Sequence, residues 1–112
     1  VMVTVSLAVA GDDVTGEAEA ADTLRARVQA AGRATVAALD KVLPEGTVEL
    51  EGVQLVSAFD EQYAFAGVVM MESRQQQRLL VGTCEVKDGE GVEQAAVLAV
   101  LDATNRWVQS RR

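Results

Sequence analysis

The stretch LLVGTCEV, residues 79–86, has a counterpart near the other end of the chain. VTGEAEA, residues 14–20, repeats its order of apolar residue, spacer, glycine and alternation. Each stretch is followed by an alanine-rich run that ends in Leu-Asp, ATVAALD at 34–40 and AVLAVLD at 96–102. Alternation is typical of strands and the runs are typical of helices, so the chain is predicted to contain one strand-and-helix unit twice.

The first 20 residues have the pattern of a hairpin. Apolar residues alternate with small or polar ones over Val1–Val9, as in a half-buried strand. Gly11 and the aspartates beside it predict a tight turn. A second strand is then predicted over residues 14–20, with Glu17 and Glu19 facing outward.

A long helix is predicted to follow the hairpin. Apolar residues recur every three to four positions between about 21 and 43, which is the spacing of one helix face. Asp22 or Thr23 is a suitable N-cap, and Pro44, with a glycine two residues later, predicts the end. Gly32 is unfavourable inside a helix, so we expect another backbone to cross closely at that position.

The second half has the pattern of three strands and a helix. A strand is predicted over 47–58, where the alternation changes phase at Gly52 and indicates a bulge. The continuous apolar run Tyr63–Met71 predicts a central strand covered on both faces. Another strand is expected over 78–86, and a closing helix over 92–109.

These elements predict an α+β fold in one domain, residues 1–112. Their order is ββαβββα, with two hairpin-helix pseudo-repeats joined by an extra strand near residue 50. We expect a mainly antiparallel sheet with both helices packed on one face.

Composition excludes several classes of function. The net charge of −7 argues against binding nucleic acid or an anionic membrane surface, and no apolar run is long enough to span a membrane. Histidine, the usual base at neutral pH, is absent, and we predict no catalytic residues, cofactor or metal. The single cysteine, Cys84, suits a reducing compartment, so we expect a cytoplasmic protein.

The closing helix is unusually apolar. Residues 95–101, AAVLAVL, form an apolar run of two turns, whereas a helix with one buried face shows polar residues every third or fourth position. Its second face is expected to meet the other helix or a copy of itself. We therefore predict a homodimer, with a slightly apolar monomer surface as the alternative.

The segment LEGVQLVSAFDEQYAFAGVVMMESRQQQRLLVGTCEVKDGEGVEQAAVLAVLDATNR, residues 50–106, resembles the C-terminal regulatory and dimerisation domain of α-isopropylmalate synthase and citramalate synthase. The run DATNR, residues 102–106, stands where that family has an Ala-rich helix ending near Ala-x-Asn-Arg. The family domain also contains two hairpin-plus-helix units. The resemblance implies a homodimer whose interface binds a small apolar amino-acid-like effector.

Two features depart from that family. GEAEAADT, residues 16–23, stands where the family has a glycine-rich turn with proline before a short helix. The catalytic barrel of the synthases has no counterpart in this chain.

Candidate ligand-binding or interface residues lie on the closing helix. Arg106 could pair with a carboxylate and Trp107 could anchor an interface. The alternative is a helix end at which Arg suits the helix dipole and Trp covers the sheet margin. The full set of candidates is Val97, Val100, Leu101, Thr104, Arg106 and Trp107.

Other polar patterns have weaker functional interpretations. Cys84 is expected to be a buried core thiol. Glu17, Glu19 and Glu85 could form a carboxylate cluster in a small enzyme, although solvated strand residues are the simpler interpretation. The glycines at 89 and 91 could offer amides to an anion, or simply form a loop.

The leading functional hypothesis is a non-catalytic, dimerising regulatory or small-ligand-sensing module. The alternative is an assembly or protein-interaction protein that binds no small ligand.

Overall fold

The computed structural model describes residues 1–9, 11–43, 47–73, 76–87 and 91–110, without the side chains of 72–73 and 106–110. The chain forms an α+β fold with the predicted order of elements. These elements are β1 (Met2–Val9), β2 (Asp12–Glu19), α1 (Leu24–Leu39), β3 (Val48–Ala58), β4 (Glu61–Ser73), β5 (Gln76–Glu85) and α2 (Val92–Ser110).

The strands form two antiparallel sheets. β1 and β2 make a two-stranded hairpin, whereas β3, β4 and β5 make a separate sheet in that order. The expectation of one continuous sheet is therefore corrected. β2 is not paired with β3. Two side chains occupy its free edge instead: Arg33 of α1 donates to the Glu19 carbonyl oxygen at 2.8 Å, and the ammonium of Lys41, just after α1, donates to the Thr15 carbonyl oxygen.

Each helix packs on the hairpin that precedes it. α1 contacts β1 and β2, and it also reaches β3, while α2 contacts β4 and β5. The two helices also pack against each other. This arrangement confirms two hairpin-helix units with β3 between them.

The two units meet their helices at equivalent glycines. A Cβ placed on Gly16 would lie 1.9 Å from the carbonyl oxygen of Ala34, and one on Gly82 would lie 2.0 Å from that of Ala99. Only glycine lets a strand approach a helix this closely. By these contacts Ala34 of α1 corresponds to Ala99 of α2. The sequence comparison matched Ala34 with Ala96, so its alignment of the two helices was wrong by three residues.

α1 begins and ends inside the range predicted for it. Thr23 is the N-cap, and its hydroxyl accepts a hydrogen bond from the Ala26 amide at 3.2 Å. Asp40 is the C-cap, and Pro44, which we expected to end the helix, lies outside the described residues. A Cβ on Gly32 would meet the Val53 and Leu50 side chains at 2.8 and 3.0 Å, so this glycine accommodates side chains of β3 and not a crossing backbone.

The apolar run of α2 is covered mainly within the chain. Its buried residues face α1 and the three-stranded sheet, and they are Ala95, Ala96, Ala99, Val100 and Ala103. Leu98 is 42 % exposed. The run therefore needs no second molecule to cover it. In the described part of the chain, neither helix has the length and hydropathy required to cross a membrane.

β4 is the central strand, as predicted, but the chain covers one of its faces only. Ala64, Ala66, Val68 and Met70 are fully buried beneath the helices. On the opposite face Phe65 is 40 % exposed. A single copy of the chain therefore leaves that face of β4 uncovered, and the prediction that both faces are covered is wrong. The helices lie on a single face of the three-stranded sheet.

Candidate functional site

An open cleft lies between the first turns of α1 and the edge strand β3. It has a volume of about 870 Å³, within the range of about 300–1,000 Å³ usual for small-molecule sites. Its walls combine apolar side chains with a few polar ones, the usual composition of such sites. The lining residues are Leu24, Arg25, Val28, Gln29, Glu51, Gly52, Val53, Gln54, Leu55, Phe65, Ala66, Gly67 and Val81.

A β-bulge shapes one wall of the cleft. The register between β3 and β4 shifts between Leu50 and Gly52, which leaves Glu51 as an extra residue and bends the strand. Among the residues that the structure describes, a Cβ on Gly52 would find one neighbouring atom within 4 Å, the Gln29 amide oxygen at 3.9 Å. The wall at Gly52 therefore has room for a ligand, and the phase change in the sequence correctly placed the bulge.

Gln29 joins α1 to the edge of β3. Its side-chain amide donates to the Val53 carbonyl oxygen and its carbonyl oxygen accepts from the Val53 amide at 3.1 Å. The side chain thus pairs with Val53 as a neighbouring strand would, and satisfies both backbone groups. This contact fixes the distance between the two walls of the cleft.

Among the described residues that line the cleft, one is basic and one is acidic. Arg25 and Glu51 both line it and both are exposed. Arg25 forms no hydrogen bond or ion pair with any other residue that the structure describes. Its guanidinium can therefore bind a carboxylate, and the Glu51 carboxylate can bind an ammonium group.

A second arginine holds the start of α1 in place. The Arg27 guanidinium donates to Asp22 at 2.6 Å and to Glu93 at 3.0 Å. Both hydrogen bonds raise the pKa of Arg27, and the one with Asp22 has the larger effect. Arg27 therefore links the first turns of α1 and α2.

The candidate residues predicted on α2 do not line this cleft. Val100 and Thr104 are buried, and the Thr104 hydroxyl donates to the Val100 carbonyl oxygen at 3.0 Å. Val97 and Leu101 are half-buried against the core. Because Val100 and Thr104 are enclosed by this chain, they are not available on the surface to a ligand or a second molecule. The side chains of Arg106 and Trp107 lie outside the described residues.

The other candidate groups are not brought together. Glu17 and Glu19 lie on the hairpin and Glu85 lies on the other sheet. No three potential metal ligands are close enough to share an ion among the described residues. Cys84 is half-buried and not fully enclosed as expected, and its thiol donates to the Glu85 carbonyl oxygen at 3.4 Å. The possible anion site at 89–91 lies largely outside the described residues.

The uncovered face of the three-stranded sheet is a second surface of interest. Leu79 is 59 % exposed, Val81 46 % and Phe65 40 %, and all three lie on the face opposite the helices. Phe65 and Val81 also line the cleft. The cleft therefore opens onto an apolar sheet surface.

Sequence reasoning missed Arg25 and Gln29 as site residues. Both lie on the polar side of a helical pattern, where Arg and Gln are common and carry no signal. Their role depends on the contact between α1 and β3, and no pattern in the sequence indicates that these two elements pack together.

Comparison of the chain with models of protein families, with curated proteins and with solved structures found no match.

Proposed function

We propose that this protein is a non-catalytic, dimerising regulatory module that senses a small apolar amino acid. The observation that carries the proposal is the α1–β3 cleft, in which apolar walls accompany Arg25 and Glu51. The proposal keeps the regulatory role that the resemblance of residues 50–106 to the synthase domain implies, but it places the effector in a cleft within one chain and not at the dimer interface.

An α-amino acid matches the chemistry of the cleft. Its carboxylate requires a cation, which Arg25 supplies, and its ammonium group requires an anion, which Glu51 supplies. A branched apolar side chain would lie against Leu24, Val28 and Leu55. Burying such a side chain contributes about 1.5–3 kcal/mol, and the charged groups give orientation and selectivity.

A ligand in this cleft would bridge elements from both halves of the fold. Leu24 and Val28 belong to α1, whereas Gly52 and Gly67 belong to the three-stranded sheet. Binding would therefore favour one relative position of α1 and β3 over others, because a ligand shifts a population only through its differential affinity. That shift is the means by which the module would report occupancy to a fused or associated protein.

The alternative function is assembly without a small ligand. It is favoured by the apolar sheet surface formed by Phe65, Leu79 and Val81, since monomeric proteins rarely leave such faces uncovered. A protein of this kind would show no response to free amino acids.

Thermal unfolding in the presence of amino acids tests the proposal. At a leucine, isoleucine or valine concentration tenfold above Kd, bound ligand adds about 1.4 kcal/mol, which raises the unfolding temperature by about 5 °C. N-acetyl-leucine amide is the control ligand, because it keeps the side chain and lacks both charges. Absence of any response to branched-chain amino acids would favour the assembly function.

Two variants locate the response. Arg25→Gln should abolish the shift caused by the amino acid while leaving the stability of the unliganded protein nearly unchanged, because Arg25 is exposed and forms no hydrogen bond or ion pair with a described residue. Lys87→Gln removes one exposed positive charge outside the cleft and should leave the shift intact. An equal loss in both variants would show a non-specific charge effect.

A further inference from the structure

The strands of this molecule differ in whether side chains form hydrogen bonds with their unpaired edges. Arg33 and Lys41 cap β2, Gln29 caps β3, and Asp102 accepts a hydrogen bond from the Thr83 amide of β5 at 3.0 Å. Such capping prevents an edge from pairing with another chain. No described side chain makes an equivalent bond to the outer edge of β1.

The register of the hairpin shows which groups of β1 point outward. Val1 and Ala20 exchange two backbone hydrogen bonds, of 2.7 and 2.8 Å. Hydrogen-bonded and non-hydrogen-bonded pairs alternate along an antiparallel ladder. The backbone N–H and C=O groups of Met2, Thr4, Ser6 and Ala8 therefore point away from β2.

β1 also lacks the residues that normally protect an edge. Its sequence, MVTVSLAV, contains no charged residue, proline or glycine, whereas each of the other four strands carries at least one charge. In a chain of net charge −7, most surfaces would repel a second copy. An uncharged edge is the surface at which two copies can meet without that repulsion.

We propose that β1 pairs antiparallel with β1 of a second copy across a two-fold axis. This pairing rests on the dimerising function proposed above and identifies its interface. The two hairpins would form one four-stranded sheet in the order β2, β1, β1 and β2. Addition of a foreign strand to the same edge would leave the isolated chain a monomer, so the mass measurement described below separates it from this pairing.

In one register of this pairing, every backbone N–H and C=O group of β1 that points away from β2 forms a hydrogen bond with the second copy. Thr4 lies opposite Ser6 of the second copy, Met2 lies opposite Ala8, and Val5 lies opposite its own equivalent at the axis. Four pairs with two bonds each give about eight hydrogen bonds between the chains. On the side facing α1, Val3 lies beside Leu7 of the second copy. Both are partly exposed in the single chain, and the pairing would cover them.

The register can be tested with charges at two positions. In Thr4→Lys with Ser6→Lys, the new ammonium groups of the two copies face each other across the axis. In Thr4→Lys with Ser6→Glu, the same positions carry opposite charges that attract. Position 4 lies opposite Glu17 within the hairpin, so lysine suits the isolated chain in both variants. Thr4 and Ser6 are exposed, so both variants are expected to fold, as circular dichroism can verify.

Analytical ultracentrifugation of the whole chain supplies the result. The wild type is expected to reach twice its 11.9 kDa as concentration rises. The double-lysine variant should raise the dimer Kd at least tenfold, whereas the lysine–glutamate variant should stay within about threefold of wild type. Hydrogen exchange of the wild-type Thr4 and Ser6 amides should slow as the dimer forms.

The outcomes separate this inference from the proposed function. A wild-type dimer in which the Thr4 and Ser6 amides exchange freely, and which the double-lysine variant does not weaken, overturns the β1 interface and leaves dimerisation standing. A wild type of 11.9 kDa at every concentration overturns both the interface and dimerisation. The amino-acid response is measured independently of either result.

Discussion

At Gly16 and Gly82 a strand passes so close to a helix that no side chain fits between them. The atoms that a Cβ would meet are backbone atoms, including the Ala38 amide nitrogen at 2.6 Å and the Ala103 amide nitrogen at 2.3 Å. Backbone atoms of a helix cannot move aside singly, since each belongs to the hydrogen-bonded ladder. These two glycines therefore set how closely each helix approaches its sheet.

Gly82→Ala should cost about 3 kcal/mol of the free energy of unfolding, the upper end of the usual overpacking penalty. A domain of this size has about 5–15 kcal/mol in total, so the effect is large. The matched control is Gly67→Ala in the adjacent strand, where the new Cβ would meet side-chain atoms at 3.4 and 3.6 Å and should change stability by less than about 1 kcal/mol. Urea unfolding measures both; equal effects would contradict the close helix crossing.

The sequence identified these glycines without explaining them. The repeated pattern around residues 16 and 82 predicted two similar units correctly. It aligned the two helices with an error of three residues, because alanine-rich runs align almost equally well in several registers. The contact between each glycine and its helix selects one register, and that contact is a property of packing.

Among the elements, α1 is the one enclosed on most sides. It contacts the hairpin, β3 and α2, and its buried residues run almost continuously from Ala30 to Leu39. The sequence drew attention to α2 instead, because AAVLAVL is the more apolar run. Small alanine side chains let helices approach closely without high hydropathy, so enclosure of α1 was not evident from its composition.

Replacing Gln29 tests the link between α1 and β3. Gln29→Met keeps the shape of the side chain and leaves the Val53 amide and carbonyl without their partner, which should cost about 1–2 kcal/mol. Hydrogen exchange should show a faster Val53 amide. Gln54→Met, on the same strand but exposed, is the control and should have little effect. Unchanged protection of Val53 in Gln29→Met would contradict the edge-capping role.

For the whole molecule, the fold class and element order were predictable because alternation and helical spacing are local signals. The division into two sheets was not, because the edge of β2 meets Arg33 of α1 and Lys41 beyond it in place of a third strand, and such a contact is set by packing. The cleft was not predictable for a similar reason, because Arg25 and Glu51 are 26 positions apart in sequence and are brought to one site by the packing of α1 on β3.

The apolar outer face and the free β1 edge are also properties of the assembled molecule. Dimerisation was expected from the surplus apolar surface of α2, but α1 and the three-stranded sheet cover most of that surface. The exposed groups lie elsewhere, on β1 and on the outer face of β4 and β5. The proposed dimer thus keeps the stoichiometry of the original hypothesis and changes its interface.

Amide NMR titration with L-leucine tests the sensing function most directly, because it reports both binding and location. Saturable changes are expected in the signals of Gly52, Val53 and Gly67, with no such changes on adding N-acetyl-leucine amide. Absence of any change at about 10 mM leucine, where even a millimolar site would be mostly occupied, or changes confined to residues outside the cleft, would contradict it.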